Sequence, residues 1–371
     1  MSTQLQGGER TQLALETAIR IMKGAVAARA SDVHLRAREV PTVRLQGELH
    51  PLDHPPISAE IVEAAVVSLA AWAGVPPSHL ERRQGEFSVE VPEVGRFRVH
   101  FYLQRGTRAV VLRHIPWPIP SFADLRIPPV VKRIALAERG MILVTGATGN
   151  GKSTTIAAML QYMNQHAARH VVTLEDPIEF LFEDEASTFS QREIGRDVDS
   201  VRDGLKGALR EDPDVLFVGE IRTLEEFDTA LNAAEAGVLV ISTFHSVDAL
   251  QTVQRMVHLY PPDFRDAARY RIADALTAVI SQRLVPRRGS RERILVTEIL
   301  RRTPVVQDCI RDPNRLRALP TALVKGTSEY GTHTFDQQLL GMVRDGLVTP
   351  ETAAAVATNP ADLVRAIKLG A

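Results

Sequence analysis

One cysteine, Cys309, is the whole thiol content of the 371 residues. A lone thiol excludes an internal disulfide and any multi-cysteine zinc site, and its setting in VVQDCI reads as helical, buried and inert. Aromatic residues are scarce at 5%, so there is little from which to build the stacking platforms that bind single-stranded nucleic acid. Neither sign of charge is in excess: the net charge is −1, which leaves no overall basic field to draw nucleic acid or anionic lipid. No apolar run reaches the ~18 residues of a membrane span, and the first residues lack the apolar segment of a secretory signal. A soluble, cytoplasmic protein is therefore expected. Hydrophobic content of 44% and charged content of 24% suit a globular chain, and the length suggests two or three domains of about 100–200 residues each.

What is present is concentrated in one stretch. Gly146-Ala147-Thr148-Gly149-Asn150-Gly151-Lys152-Ser153-Thr154 fits the phosphate-binding pattern G-x-x-x-x-G-K-[ST]. Met141 to Val144, just before it, has the length of a strand. TTIAAMLQYMNQ, from Thr154 to Gln165, is free of glycine and proline, as a helix would be. Glycines let backbone N–H groups wrap a polyphosphate where a Cβ would obstruct, and the helix that follows directs its positive end at the same anion. Gly146, Thr148, Gly149, Asn150, Gly151, Lys152, Ser153 and Thr154 are thus candidate nucleotide contacts. Lys152 is assigned to the β- and γ-phosphates and the Ser153 hydroxyl to Mg²⁺. A chance glycine-rich turn would not bring strand, loop, Lys-Ser and helix in this order. The chain is expected to bind a nucleoside triphosphate.

Ahead of this loop, residues 1–9 are polar and expected to be disordered. Leu13, Ala14, Thr17, Ala18, Ile21, Met22 and Ala25 recur at helical spacing. Alternating runs on either side of Gly47 predict a strand pair, and Ile61 to Trp72 a second helix. Phe87, Val89 and Val91, then Phe97, Val99 and Phe101, alternate with polar residues as in half-wetted strands. Residues 1–114 therefore read as a small α+β domain. Five prolines between residues 115 and 129 favour an extended, semi-rigid connection. Over residues 130–371, the apolar runs MILVTG, VVTLED, DVLFVGE and VLVISTFH alternate with helical segments, the pattern of a parallel sheet covered on both faces. Beyond about Pro286 the texture reads as short and helical. The expected fold class is α/β.

Three further stretches place polar groups at strand ends. Asp214 to Glu220 is an apolar strand ending in a carboxylate, and a nucleotide hydrolase needs such a group beside Mg²⁺ or to orient the attacking water. The alternative for Glu220 is a solvated loop position; Arg222 is either a phosphate-sensing or subunit-contacting cation or a plain ion-pair partner. Val171 to Glu175 delivers the adjacent acids Glu175 and Asp176 to a sheet edge, which is costly unless a metal or cations stand opposite; Glu175 is the one expected to face the nucleotide, and Asp176-Pro177 can equally be a turn. Finally, His245 follows the strand from Val238 to Ser242, where an imidazole can both donate and accept hydrogen bonds.

In that order, ASDVHL (Ala30 to Leu35), GATGNGKSTT, VTLEDPIEF, DPDVLFVGEIR and STFHS resemble the landmarks of the secretion ATPases of type IV pilus and type II secretion systems, and among these the PilT-type pilus retraction ATPases. The resemblance runs from about residue 12 to the C-terminus. It implies an N-terminal PAS-like domain and a RecA-like P-loop ATPase domain with a helical C-terminal part. It further implies ATP and Mg²⁺ as cofactors and a homohexameric ring. The partners implied are an inner-membrane pilus platform protein and the pilus machinery, and the site implied is the cytoplasmic face of the inner membrane. No nucleic-acid partner follows from it, and membrane association would come through partners alone. Carried over residue by residue, it makes Glu220, Glu175, Lys152 and His245 catalytic, with Ser153, Glu175 and Glu220 around the metal. Arg98 and Arg113, with Arg105, match positions from which related motors present arginines to the nucleotide; arginine's planar fork suits a phosphate. Period-two alternation sets Arg96, Arg98 and His100 on the face opposite Phe97, Val99 and Phe101, where a solvated sheet face is the plainer alternative. The chain departs from the family pattern at Val247, where an asparagine is common, at Ala147 and Asn150, where proline and serine are usual, and over Val305 to Asp312.

The leading expectation is a hexameric ATPase that powers pilus retraction. An accessory retraction motor, or a PilT-like ATPase of a type IV secretion system, is the near variant. A RecA-like DNA translocase would want a basic groove or stacking aromatics, and a monomeric P-loop kinase would want a lid in place of a separate α+β module.

Overall fold

The structure, a computed structural model, describes residues 2–45, 47–115, 117–290 and 292–369, with side chains from Gln12 onward. Pro116 of the expected connection and Met1 of the segment expected to be disordered lie outside the described residues. The chain divides into two units: one runs up to Pro118 and includes Pro177–Phe180, and the other comprises Ile119–Asp176 and the chain from Leu181 onward.

The first unit is built on a six-stranded sheet with the order β3-β2-β1-β6-β5-β4. Its strands are β1 (Asp32–Arg36), β2 (Thr42–Leu45), β3 (Glu48–Pro51), β4 (Gln84–Val91), β5 (Gly95–Gln104) and β6 (Thr107–Ile115), and every pairing is antiparallel. Two helices, Ser2–Ala27 and Ala59–Trp72, supply the other half of its core. Ala18, Ile21, Met22 and Ala25 lie against Val62, Val66, Phe87, Phe97 and Phe101, each fully buried large side chain contributing roughly 1.5–3 kcal/mol. Ser58 caps the second helix by accepting the Ile61 N–H at 3.4 Å. The first helix starts at Ser2, so residues 2–9 are helical where disorder was expected: once a periodic stretch has nucleated a helix, each added residue costs little.

Alternation on β5 falls as expected, with Phe97, Val99 and Phe101 buried and Arg96, Arg98 and His100 half-buried on the opposite face. That face is already occupied within the unit. Arg96 donates to the carbonyls of Ile178 (3.0 Å) and Glu179 (3.2 Å), and Arg98 to the carboxylates of Glu179 (3.1 Å) and Glu86 (3.0 Å). Arg113 lies within β6, opposite Arg98 on β5 and Asp32 on β1; its Nε donates to Asp32 at 2.8 Å. Arg105 does not join them. It occupies the exposed β5–β6 turn at φ +49°, seven residues beyond Arg98 and just past the end of β5, a separation of roughly 20 Å at ~3.3 Å per strand residue.

The second unit is a seven-stranded sheet with the order β13-β12-β7-β11-β10-β8-β9. It comprises β7 (Gly140–Thr145), β8 (His170–Glu175), β9 (Thr188–Glu193), β10 (Val215–Glu220), β11 (Leu239–Phe244), β12 (Leu276–Pro286) and β13 (Arg293–Arg301). Met141 and Leu143 of β7 enter one core, Ile142 and Val144 the other, which is why the strand reads as a continuous apolar run. The sheet is mixed, since β13 runs antiparallel to β12. This corrects two expectations: an all-parallel sheet, and a short helical texture after Pro286. β12 escaped notice because Ser281, Gln282 and Arg283 interrupt its apolar run. The helical part that follows closes on β12 and β13 through Val285, Ile294, Val296, Phe335, Leu339 and Leu363.

The expected connection over 115–129 is extended only in part. Ser121 and Asp124 close a turn, the Ser121 N–H and hydroxyl donating to the Asp124 carboxylate at 2.9 and 2.6 Å. Phe122 and Ile127 are buried in the core of the second unit, so the apolar residues between the prolines fold onto it. Among the described residues no helix is long and apolar enough to cross a membrane.

Candidate nucleotide site

The loop after β7 is shaped by its glycines. Gly149 and Gly151 hold φ of +81° and +79°, Gly149 in open space and Gly151 in ordinary contact range of Leu284, and Gly151 is the left-handed cap of the helix Lys152–His166. Gly146 is fixed for another reason: a Cβ there would meet the Gln282 carbonyl at 2.6 Å. Lys152 curls over the loop, donating to the carbonyls of Gly146 (2.9 Å) and Ala147 (3.2 Å). Ser153 and Thr154 are half-buried in the first turn, while Ala147, Thr148 and Gly149 are exposed. β12 runs past the end of β7 and clasps the loop from the side. The Asn150 amide donates to the Gln282 carbonyl (3.1 Å), and the Gln282 amide donates to Thr155 (2.7 Å). Asn150 thus contributes its side chain as well as its backbone, and Gln282 is a loop-holding residue that sequence reasoning missed.

The other candidates stand beside this loop at the carboxyl ends of neighbouring strands. In the order β7-β11-β10-β8, the strand ends carry the glycine loop, His245, Glu220 and Glu175. Three strand spacings of about 4.8 Å keep all four within roughly 15 Å, at the edge where parallel sheets bind ligands. Glu220 ends β10 half-buried, and the ladder to β11 shifts register between Val218 and Glu220. Its Oε1 lies 2.8 Å from His245 Nε2, and its Oε2 accepts from Arg222 at 2.9 Å. Glu220 is therefore no solvated loop glutamate, and Arg222 is its ion-pair partner. Glu175 is buried at 7% exposure and accepts from Thr173 (2.8 Å) and Gln191 (3.4 Å), while Asp176 is exposed. Val247, at the departure from the family pattern, is exposed and apolar.

A cavity of about 340 Å³ opens beside the loop, lined by Gly151, Thr154, Leu125, Leu284, Arg293 and Leu295 among others. Its walls are apolar at Leu125, Leu284, Ile294 and Leu295 and carry charge of both signs, the acids Asp124 and Glu292 among arginines; such a hollow next to a phosphate cradle suits a nucleoside. None of the residues outside the loop was singled out from the sequence; the turn at Gly289 between two alternating runs was the available signal. A larger hollow of about 590 Å³ lies in the first unit around His100 and Tyr102, but no phosphate-binding backbone lines it. The donors also fit Mg²⁺. Among the described residues no group of three or more His, Cys, Asp or Glu is placed to cage a metal, and Mg²⁺ is usually held by one or two protein oxygens, substrate phosphates and water. Ser153, Glu220 and Glu175 supply oxygens of that kind.

A protein-family description, "Type II/IV secretion system protein", matches residues 10–329. The chain belongs to this family. Among its secretion-family relatives, the type IV pilus retraction ATPase PilT of Pseudomonas aeruginosa is 38% identical over 337 residues, covering 89% of this chain and 95% of that one. The type IV pilus ATPase PilU of the same organism is 35% identical over 340 residues, covering 92% and 88%. A crystal structure of the pilus retraction motor PilT with bound ADP matches with a TM-score of 0.82 at 38% identity, covering 93% of this chain and 98% of that one. The α/β class, with an N-terminal domain followed by an ATPase domain and a helical C-terminal part, stands as read from the sequence.

Proposed function

We propose that this secretion-family ATPase is the motor that powers type IV pilus retraction. In this reading it works as a homohexamer at the cytoplasmic face of the inner membrane, acting on a pilus platform protein. The observation that carries the reading is the alignment of the glycine loop, His245, Glu220 and Glu175 on neighbouring strand ends, in a chain 38% identical to PilT across most of its length. The loop N–H groups and Lys152 bind the triphosphate, with the nucleoside in the cavity walled by Leu125, Leu284 and Leu295. Mg²⁺ bound there would neutralise charge on the phosphates. Glu220 orients the attacking water, and His245 holds Glu220 in place. Glu175, anchored by Thr173, keeps a second carboxylate at the same edge. Arg98 and Arg113 are proposed to serve the nucleotide; Arg105 is set apart by its place at the far end of the hairpin.

Retraction is tested by expressing the chain in a strain that lacks its own retraction ATPase and scoring twitching, with the Lys152→Ala chain as control. Restored twitching that Lys152→Ala cannot restore supports the reading. An ATPase rate raised severalfold by single-stranded DNA would favour a translocase instead. Rescue only alongside a second retraction ATPase would favour an accessory motor, a reading to which the altered stretch from Val305 to Asp312 lends weight.

A further inference from the structure

Glu298 lies on β13, the edge strand, and is 6% exposed. We propose that Glu298 is a positioning residue for hydrolysis: its carboxylate fixes the start of the helix Ala249–His258, and through it the turn that holds His245 against Glu220. The proposal rests on reading Glu220 as the hydrolytic carboxylate.

Glu298 Oε1 accepts the N–H of Ala249, the first residue of that helix, at 2.8 Å. Asp248 caps the same helix by accepting the Gln251 N–H at 2.7 Å. Two carboxylates thus satisfy two of the N–H groups that every helix start leaves without internal partners, at the end where the helix dipole favours negative charge. The turn itself is bonded to the helix it precedes. Ser246 and Thr252 share a buried hydroxyl contact of 2.6 Å, Thr252 donates to the Asp248 carbonyl at 2.6 Å, and Arg255 donates to the His245 carbonyl. Turn and helix start therefore move together, and Glu298 ties them to a strand separated from β11 by β12 and β7.

The charged and titratable neighbours are Asp248 on the turn, Arg283 on β12, Asp336 on the helix Phe335–Arg344, and His333 just before that helix. Arg283 is engaged elsewhere, donating to the Val356 carbonyl and lying 3.8 Å over the Phe335 ring. Asp336 accepts the N–H groups of Thr358 (2.7 Å) and Asn359 (2.8 Å). His333 contacts the Thr297 hydroxyl at 2.9 Å, and burial lowers its pKa. Burial above all pushes the Glu298 carboxyl up to about 7; the N–H groups of Ala249 and of Phe335, both of which it accepts, and the charge of Arg283 oppose the rise, and the like charge of Asp248 adds to it. Protonation removes the anion from the helix start and weakens a charge-assisted bond. Turnover then falls on the acid side as the His245 turn loosens.

The test is steady-state ATP hydrolysis by the full chain with Mg²⁺ from pH 6 to 9, for wild type, Glu298→Gln, His245→Ala and the double variant. Wild type should lose kcat with a midpoint near pH 7. Glu298→Gln should lack that midpoint, with kcat at pH 8 lowered about fivefold and KM for ATP within about twofold. In the His245→Ala background Glu298→Gln should change nothing further, because coupled residues are not additive. An unaltered acid limb in Glu298→Gln, or the same fivefold loss without His245, overturns the proposal. Hydrogen exchange over residues 244–252 judges it apart from hydrolysis: Glu298→Gln should accelerate exchange at pH 8, and unchanged protection also overturns it. A wild-type chain that binds ATP without turning it over would instead contradict the reading of Glu220, leaving the exchange result to decide on Glu298.

Discussion

His245 Nε2 lies 2.8 Å from Glu220 Oε1, and Arg222 holds the other oxygen of the same carboxylate at 2.9 Å. The carboxylate is held from two sides. Removing one of these supports should cost rate more than affinity if, as proposed, Glu220 acts on the water and not on the phosphates. His245→Ala is expected to lower kcat by at least about tenfold, equivalent to ~1.4 kcal/mol in the barrier, with the ATP dissociation constant changed less than about threefold. Initial-rate kinetics with a parallel binding titration decide the point. An unchanged kcat would make the imidazole contact incidental.

Gly146→Ala tests the clasp between the glycine loop and β12. The new Cβ would stand 2.6 Å from a backbone carbonyl, at a φ of +139° that side chains rarely adopt. The loop must shift, so ATP binding should weaken by more than about tenfold while far-ultraviolet circular dichroism stays unchanged. Wild-type affinity in this variant would mean the loop does not depend on its seat against Gln282.

Glu298 has a consequence for stability whose sign is opposite to that of a paired surface carboxylate. Its folded pKa, about 7, lies above the ordinary 4.5. Below pH 4.5 both folded and unfolded chains hold the proton. Between pH 4.5 and 7 the unfolded chain releases it first, so stability falls as pH rises through this window, by about 3 kcal/mol at most. Glu298→Gln should therefore lack this pH dependence, so that its stability relative to wild type rises from pH 4.5 to pH 8. Urea unfolding at both pH values measures it, and a difference independent of pH would contradict the buried-charge account.

Much of this was legible beforehand, and the reasons are local. Short-range patterns fix the glycine loop, the alternation on β5 and the strand ends at Glu175, Glu220 and His245, and these patterns survive in the fold. Gln282 and Glu298 were not legible because their neighbours are distant in sequence: Thr155 and Ala249 meet them only after β12 and β13 close the sheet edge. Polar residues inside those strands also hid the strands themselves. The pairing of Arg113 with Asp32 was likewise hidden, since the two are 81 residues apart.

For the first-unit arginines, the arrangement on β5 and β6 separates cases the sequence had grouped. Arg98→Ala and Arg113→Ala are expected to lower ATPase activity by at least about tenfold, equivalent to ~1.4 kcal/mol, in chains that still fold. Arg105→Ala should fall within about twofold of wild type, since its turn lies ~20 Å along the hairpin from the other two. Full activity in folded Arg98→Ala and Arg113→Ala chains would leave this face with structural ion pairs alone.

The central claim, that Glu220 serves the water while the glycine loop and Lys152 serve the phosphates, is tested most directly by Glu220→Gln. The substitution keeps the shape and removes only the negative charge. Turnover should drop by about 100-fold or more, equivalent to ~2.7 kcal/mol, while radiolabelled ATP remains bound and recoverable uncleaved after gel filtration. Hydrolysis at a near wild-type rate in that variant would contradict the account.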